Sequence, residues 1–298
     1  MLRNLGTNLA KECNKIITTT GFLYSSALSS IAGRRMSEQM ERWNGRVALV
    51  TGASSGIGAA LCQTLVQHGM KVVGCSRNVD RIKALADEDA VKKASGELMA
   101  VRCDVTEESD ILSTFDEIRR TFGRLDICIN NAGIGHDAPL LSGKTADFKN
   151  MLDVNVLGLT ICTREAVKLM TENAVNDGQI IHISSIGGHY LPTESWVGAS
   201  FYCGTKFMVR CLTEGLRREL KALKSQIRVS FFLQSISPGL VQTGFFDNYL
   251  KDSPSIKPSD IFQFNPLQPK DIADSVLYIL STPQQVEVHD IIIRPYSS

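Results

Sequence analysis

From residue 45 onward, short and continuously apolar runs alternate with longer amphipathic stretches, and this alternation narrows the fold more than any other feature. A run such as Arg46-Val-Ala-Leu-Val-Thr51 is apolar on both faces of a strand, so both faces must be covered. Strands are predicted over 46–51, 71–76, 97–102, 125–130, 179–184, from 227 onward, and over 286–294. Helices are predicted over 58–68, 78–90, 107–122, 145–172, 202–223 and 269–280. Strands that alternate with helices run parallel, because each crossover returns the chain to the same edge. The predicted class is α/β, a doubly wound parallel sheet of about seven strands flanked by helices.

Composition excludes several partners. With 21% charged residues and a formal net charge of +1, nothing favours nucleic acid or an anionic membrane surface. The eight cysteines are scattered, with no Cys-x-x-Cys pair and no Cys/His cluster at metal-ligand spacing, so reduced thiols and no metal are expected. No run reaches the roughly 18 apolar residues of a spanning helix. Residues 1–40 read as an extension, disordered or targeting, ahead of one domain over 41–298. Up to Arg35 it has Arg3, Lys11, Lys15, Arg34 and Arg35 against Glu12 alone, with eight Ser/Thr. That is presequence composition. The expected location is therefore cytoplasmic, or mitochondrial if residues 1–35 are a presequence.

Directly after the first strand comes Thr51-Gly52-Ala53-Ser54-Ser55-Gly56-Ile57-Gly58. Glycines allow a tight turn and close backbone approach, and the following helix aims free N–H groups and its positive dipole end at a pyrophosphate. Gly52, Ser54, Ser55, Gly56, Ile57 and Gly58 are thus candidate dinucleotide contacts. NAD sites usually end the second strand with an acid for the ribose hydroxyls. Here that strand ends Gly74-Cys75-Ser76-Arg77-Asn78. A guanidinium fork suits a 2′-phosphate, so Arg77 and Asn78 point to NADP(H).

Tyr202 and Lys206 are four residues apart and share a helix face. An adjacent ammonium is expected to lower a phenol from its usual value of about 10, so that Tyr202 exchanges a proton with a substrate oxygen. Ser185 is expected to donate a hydrogen bond to that oxygen. His182, between Ile181 and Ile183, reads as an interior histidine without chemistry.

These motifs, with Asp104-Val105, Asn130-Asn131-Ala132-Gly133, Asn155 and Pro238-Gly239, identify residues 45–294 as similar to the short-chain dehydrogenase/reductase family, a Rossmann-type fold. Met-Glu-Arg-Trp, Asp-Ile-Cys-Ile-Asn-Asn-Ala-Gly and the ending Gln-Val-Glu-Val-His-Asp-Ile-Ile-Ile-Arg-Pro resemble its subgroup of NADP-dependent farnesol and hydroxysteroid dehydrogenases. The resemblance implies that Asn155 holds a water linked to Lys206 and that Tyr202 and Lys206 also meet the cofactor. It implies that Asp104 and Val105 meet adenine and Asn131 the adenosine ribose and the neighbouring strand, while Gly239, Val241 and Thr243 wrap the nicotinamide side. It also implies a homodimer or homotetramer through the helices at 145–172 and 202–223.

Two departures stand out. Seventeen positions separate Ser185 from Tyr202, about four more than the family pattern, with Ser184 as the fallback serine. The added loop carries His189, Tyr190, Leu191 and Trp196. In the sixth strand, Phe231-Phe232-Leu233-Gln234 intervenes between Arg228-Val229-Ser230 and Ile236-Ser237-Pro238, and must bulge or loop out because its neighbours fix the register. A splice variant or gene-model artefact would leave such an insertion. The aromatics Phe245, Phe246, Tyr249, Phe262 and Phe264 predict a lid over about 244–268 and an apolar pocket for a lipophilic alcohol or ketone, isoprenoid or steroid. The contrasting expectation is a non-catalytic NADP(H)-binding scaffold perturbed by residues 231–234.

Overall fold

A computed structural model describes residues 38–191, 194–229, 235–251, 265–288 and 291–296. Residues 1–35, Phe231–Gln234, Phe262 and Phe264 lie outside them. The chain divides at Arg42/Trp43, and the sheet lies within Trp43–Ser298. Its strands are β1 (Val47–Thr51), β2 (Lys71–Ser76), β3 (Glu97–Arg102), β4 (Ile127–Asn130), β5 (Gln179–Ile183), β6 (Arg228–Val229), β7 (Ser235–Pro238) and β8 (Ile291–Ile293). The helices are α1 (Gly56–Gln67), α2 (Val79–Ala86), α3 (Asp89–Lys92), α4 (Glu108–Phe122), α5 (Thr145–Leu152), α6 (Leu159–Glu172), α7 (Ser200–Ala222), α8 (Phe245–Tyr249) and α9 (Pro269–Ser281).

All pairings are parallel, in the order β3-β2-β1-β4-β5-β7-β8, with β6 also on β5. There are thus seven strand positions, as expected, and β6 and β7 share one of them. The chain runs outward from β1 to β3, then returns to β4 beside β1. The crevice at this reversal, above the carboxyl ends of the strands, is where such sheets bind ligands.

Every residue of β1 is buried, since helices cover both of its faces. On one face Leu49, Val73 and Cys128 pack against Ile111, Phe115 and Ile118 of α4 and Ala166, Leu169 and Met170 of α6. Each such side chain stabilises the fold by about 1.5–3 kcal/mol. On the other face α1 packs on α9, and the Trp43 indole N–H donates to Leu280 O at 2.8 Å. Asp126, fully buried below β4, accepts from Val47 N at 2.9 Å and from Arg124 Nε at 3.0 Å, tying the start of β1 to β4.

Three expectations need correction. The helix expected at 78–90 is two helices, because Glu88 is extended (ψ 141°) and caps the second. The helix expected at 145–172 is interrupted by a π-helical segment, Asp153–Gly158. The last strand covers only Ile291–Ile293 of the expected 286–294.

At the sixth strand position β6 ends at Val229 and β7 begins at Ser235. Val229 pairs with Ile180, and Ser235 with His182. Between these points β5 advances two residues and its neighbour six. Four residues are therefore surplus to the ladder.

Candidate active site

The carboxyl ends of the strands open into a cleft of about 1140 Å³. Except for Gly58 and Asn155, every catalytic or cofactor-binding candidate named from the sequence lines it.

At one end lies the turn between β1 and α1. Gly52 (φ 68°) and Gly56 (φ 56°) adopt left-handed backbone that suits glycine. A Cβ on Gly58 would stand 2.2 Å from Gly52 O, so this glycine serves close packing inside the turn and does not face the cleft. Ser55 makes no side-chain cap and the first turn of α1 contains no acid, so its N–H groups face the cleft uncapped by side chains. Asn131 fixes the turn from β4. Its Nδ2 donates to Thr51 O at 2.9 Å and Gly52 O at 3.3 Å, while its own N–H and that of Ala132 donate to Thr51 Oγ1, each at 3.0 Å. Asn131 is thus bound to the β1 backbone, the strand side of the expected pair of contacts. From beyond β7, the Thr243 methyl sits where a Cβ on Gly56 would come within 2.9 Å.

Arg77 and Asn78 follow β2, and Asn78 Oδ1 caps α2 by accepting from Arg81 N at 3.4 Å. This cap brings in Arg81, which the sequence reading passed over although it stands four positions after Arg77; both line the cleft, as does Ser76. Ser76 Oγ is buried with no hydrogen-bond partner among the described residues. Asp104 Oδ1 accepts from Thr106 N at 3.1 Å and Oγ1 at 2.9 Å.

In the middle lie Ser185, Tyr202 and Lys206. Ser185 caps a 3₁₀ turn, Ile186–Gly188, and its Oγ accepts from Gly187 N at 3.1 Å. Tyr202 lies in the first turn of α7, and the Ser185 hydroxyl acts on its phenol, lowering its proton affinity. Lys206 Nζ, one turn on, donates to Ile183 O at 3.2 Å and lies 5.8 Å from the Tyr202 ring centre. Asn155 sits on the π-helical segment behind them, 1% exposed, bonded to Ile134 and Thr205.

The electrostatics correct one expectation. Burial raises the Tyr202 phenol well above its ordinary value, only partly offset by the Ser185 hydrogen bond. Burial also lowers Lys206 to about 8. The shift is opposite to the one expected: burial disfavours the phenolate, the Lys206 ammonium does not offset it, and the phenol holds its proton. Burial, with Lys206 second, lowers His182 to about 4. His182 contacts Thr163 Oγ1 at 3.2 Å and Thr213 Oγ1 at 2.7 Å, an interior cross-link between α6 and α7 as expected.

The far wall is aromatic. Phe245 lies 5.5 Å from Tyr202 between ring centres and stacks on Tyr249 at 6.1 Å, while Trp196 meets Phe246 and Tyr249 at 6.1 Å each. A Cβ on Gly135 would come within 2.7 Å of Phe245 and 2.8 Å of Tyr249, so Gly135 lets α8 approach. Tyr190 and Leu191 line the same side. His189 is drawn away toward β7, its Nε2 lying 2.8 Å from Ser237 Oγ. Among the described residues no Cys/His/Asp/Glu group could hold a metal.

A doubly wound parallel sheet with a glycine turn at its crevice and a serine–tyrosine–lysine set beside it defines a dehydrogenase/reductase site. The short-chain dehydrogenase family model matches residues 46–254, and the chain belongs to that family of oxidoreductases. It is 48% identical over 256 residues to chicken dehydrogenase/reductase SDR family member 11, covering 86% of this chain and 98% of that protein. It is 39% identical over 259 residues to the farnesol dehydrogenase of Aedes aegypti, covering 86% and 98%. Among solved structures, the closed form of serine dehydrogenase complexed with NADP+ aligns with TM-score 0.74 at 27% identity, covering 85% and 96%. A metagenomic short-chain oxidoreductase in complex with NADP aligns with TM-score 0.66 at 27% identity, covering 85% and 98%.

Proposed function

We propose that the protein is an NADP(H)-dependent oxidoreductase that interconverts a lipophilic alcohol and its aldehyde or ketone. The observation that carries this is the Ser185–Tyr202–Lys206 set between the glycine turn and the aromatic wall.

The cleft fits a dinucleotide. The Gly52–Gly56 turn lines the cleft ahead of the uncapped start of α1, which suits a pyrophosphate. Arg77 and Arg81, with the unpartnered Ser76 hydroxyl, suit a 2′-phosphate. Asn78, Asp104 and Val105 border the adenosine side, and Gly239, Val241 and Thr243 the nicotinamide side. Relatives complexed with NADP+ and NADP favour the same cofactor here. When bound, the nicotinamide supplies or accepts the hydride.

The chain's own residues handle the proton. A buried, protonated Tyr202 is suited to donate to a carbonyl oxygen in the reducing direction, and in the reverse one it accepts the alcohol proton only as the phenolate, after giving up its own proton. Ser185 Oγ, whose lone pair is engaged by Gly187 N–H, directs its hydroxyl proton at the same oxygen. Lys206 places a cation beside Tyr202 and a donor toward the ribose. Asn155 positions the loop at Ile134. Phe245, Tyr249 and Trp196 exclude water and favour an isoprenoid or steroid body. The farnesol dehydrogenase relative acts on an alcohol of that kind by its name.

Assembly as a homodimer or homotetramer is proposed through α5–α6 and α7, which expose Leu157, Phe207 and Met208. A cytoplasmic location is proposed, with a mitochondrial one if residues 1–35 direct import; fractionation of cells expressing the full chain distinguishes them.

The test is a panel of farnesol, hydroxysteroids and small hydrophilic carbonyls with NADP(H) and NAD(H). Turnover of a lipophilic member with NADP(H), lost by about 10²–10⁴-fold in Tyr202→Phe while NADPH still binds, is expected. Activity confined to hydrophilic carbonyls refutes the substrate class. Turnover that survives in Tyr202→Phe refutes the mechanism. The broken sixth strand favours one other reading, a non-catalytic NADP(H)-binding scaffold, which NADPH binding without turnover of any panel member would support.

A further inference from the structure

Three arginines line the cleft: Arg77, Arg81 and Arg294. Elsewhere in the fold arginines are commonly neutralised: Arg46 by Asp177, Arg119 by Asp116 and Glu172, Arg124 by Asp126, Arg164 by Glu108 and Glu165. Among the described residues none of the three cleft arginines has a carboxylate partner. Unpaired guanidinium groups collected in one concave site are charge held for ligands.

The three do not serve one ligand group. Arg77 follows β2 and Arg294 follows β8, five strand spacings apart in the sheet order. At about 4.8 Å per spacing this separates them by about 24 Å, too far for one phosphate. Arg77 and Arg81 belong to the adenosine end. Arg294 is on the substrate side, its guanidinium carbon 5.6 Å from the centre of the Tyr190 ring on the loop after Ser185. It is also tied to the turn after β7: Gly239 N donates to Ile293 O at 2.8 Å, and a Cβ on Gly239 would stand 3.5 Å from Arg294 Cα.

A guanidinium held over a ring keeps its edge N–H donors for a second partner. In fork geometry those donors match two oxygens of one anionic group. The wall from Arg294 toward Tyr202 is apolar and aromatic: Tyr190, Leu191, Trp196, Phe245 and Tyr249. A ligand matched to this side has a hydroxyl or carbonyl at Tyr202, a lipophilic body, and an oxyanion at the other end.

Resting on the reading of the cleft as an NADP(H)-dependent alcohol and carbonyl site, we propose that Arg294 determines specificity by binding an oxyanion, a carboxylate or sulfate, carried by the lipophilic substrate away from its reacting oxygen. The contact with the Tyr190 ring orients the fork, and the link to Gly239 fixes its distance from the reacting end. Neutral lipophilic alcohols then count as partial substrates, bound by the aromatic wall alone.

The experiment compares kcat/KM, with NADP, for two pairs on the purified full chain. One pair is a hydroxysteroid and the same steroid sulfated at its far oxygen. The other is a long-chain primary alcohol and its ω-carboxylate. The wild type is expected to prefer the anionic member of at least one pair by about tenfold or more, and the pair that shows this identifies sulfate or carboxylate. Arg294→Gln should bring that ratio toward one, Arg294→Glu should reverse it, and Arg294→Lys should restore part of it. A ratio that is the same in wild type, Arg294→Gln and Arg294→Glu overturns the proposal while leaving the activity in place. If no compound of either pair turns over although NADPH binds, the activity itself is refuted, and the proposal falls with it.

Discussion

Asn155 holds Ile134 by both of its backbone groups: Oδ1 accepts from Ile134 N at 2.9 Å, and Nδ2 donates to Ile134 O at 2.8 Å. The same Nδ2 donates to Thr205 Oγ1 at 3.0 Å, one residue before Lys206. A side chain here acts as one rung of a strand ladder, joining the loop after β4 to α7. The π-helical segment Asp153–Gly158 carries it, and such segments recur at functional sites because the wider turn re-aims a side chain. The family resemblance assigns Asn155 a water beside Lys206. In the structure its amide is bonded to the protein itself.

Asn155→Ala should therefore lower stability as well as activity. It leaves the Ile134 amide and carbonyl without their partner, at a cost of about 2–4 kcal/mol. In a chain of this size the thermal midpoint should fall by about 2–4 °C per kcal/mol, read by calorimetry. Asn155→Asp retains the acceptor and loses the donor, and should fall between the two. A midpoint unchanged in Asn155→Ala would show that the double hydrogen bond is dispensable.

Replacing Arg77 and Arg81 together with alanine should weaken NADPH far more than NADH. Hydrogen bonds to a charged group contribute about 1.5–3 kcal/mol each, so the preference should fall by about 10²-fold or more. The ratio of KM values for the two nucleotides measures it. An unchanged ratio would remove the 2′-phosphate from this end of the cleft.

His182 should make the fold sensitive to acid. Burial first, and Lys206 second, lower it from 6.5 to about 4. The unfolded chain binds more protons between those values, so stability is fully present above about 6.5 and falls as pH drops toward 4. His182→Gln, which cannot titrate, should flatten the dependence of the urea midpoint between pH 7 and pH 5. Parallel slopes in the two proteins would assign the acid sensitivity to other groups.

Deleting Phe231–Gln234 should let β6 and β7 run on as one strand, because their registers on β5 differ by those four residues. The deleted form is expected to melt at higher temperature and turn over faster, since β7 ends at Pro238 and Gly239 directly follows it at the cleft. If it is neither more stable nor more active, the four residues are a tolerated part of the fold.

Much of the site was legible from local patterns. The Thr51–Gly58 turn, Arg77 and the Tyr202/Lys206 spacing each place their groups through one strand, turn or helix, so linear order suffices. Arg81 was within reach of the same logic, standing one helical turn beyond Arg77. Arg294 and Gly135 were not. Arg294 gains meaning from Tyr190, more than a hundred residues away, and Gly135 from a ring on α8.

The parallel sheet of about seven strands, covered by helices on both faces, followed from amino-acid order alone, because apolar runs with helical crossovers admit few arrangements. Even the surplus of four residues in the sixth strand could be counted before any coordinates. Packing decided the rest. Whether Tyr202 is acidic depends on how much water its neighbours remove, and burial reverses the effect expected from a lysine one turn away. The break in the helix at Asp153 likewise depends on the loop that Asn155 must reach. Desolvation and close contact are sums over residues distant in the chain, so they exist only once the chain has folded.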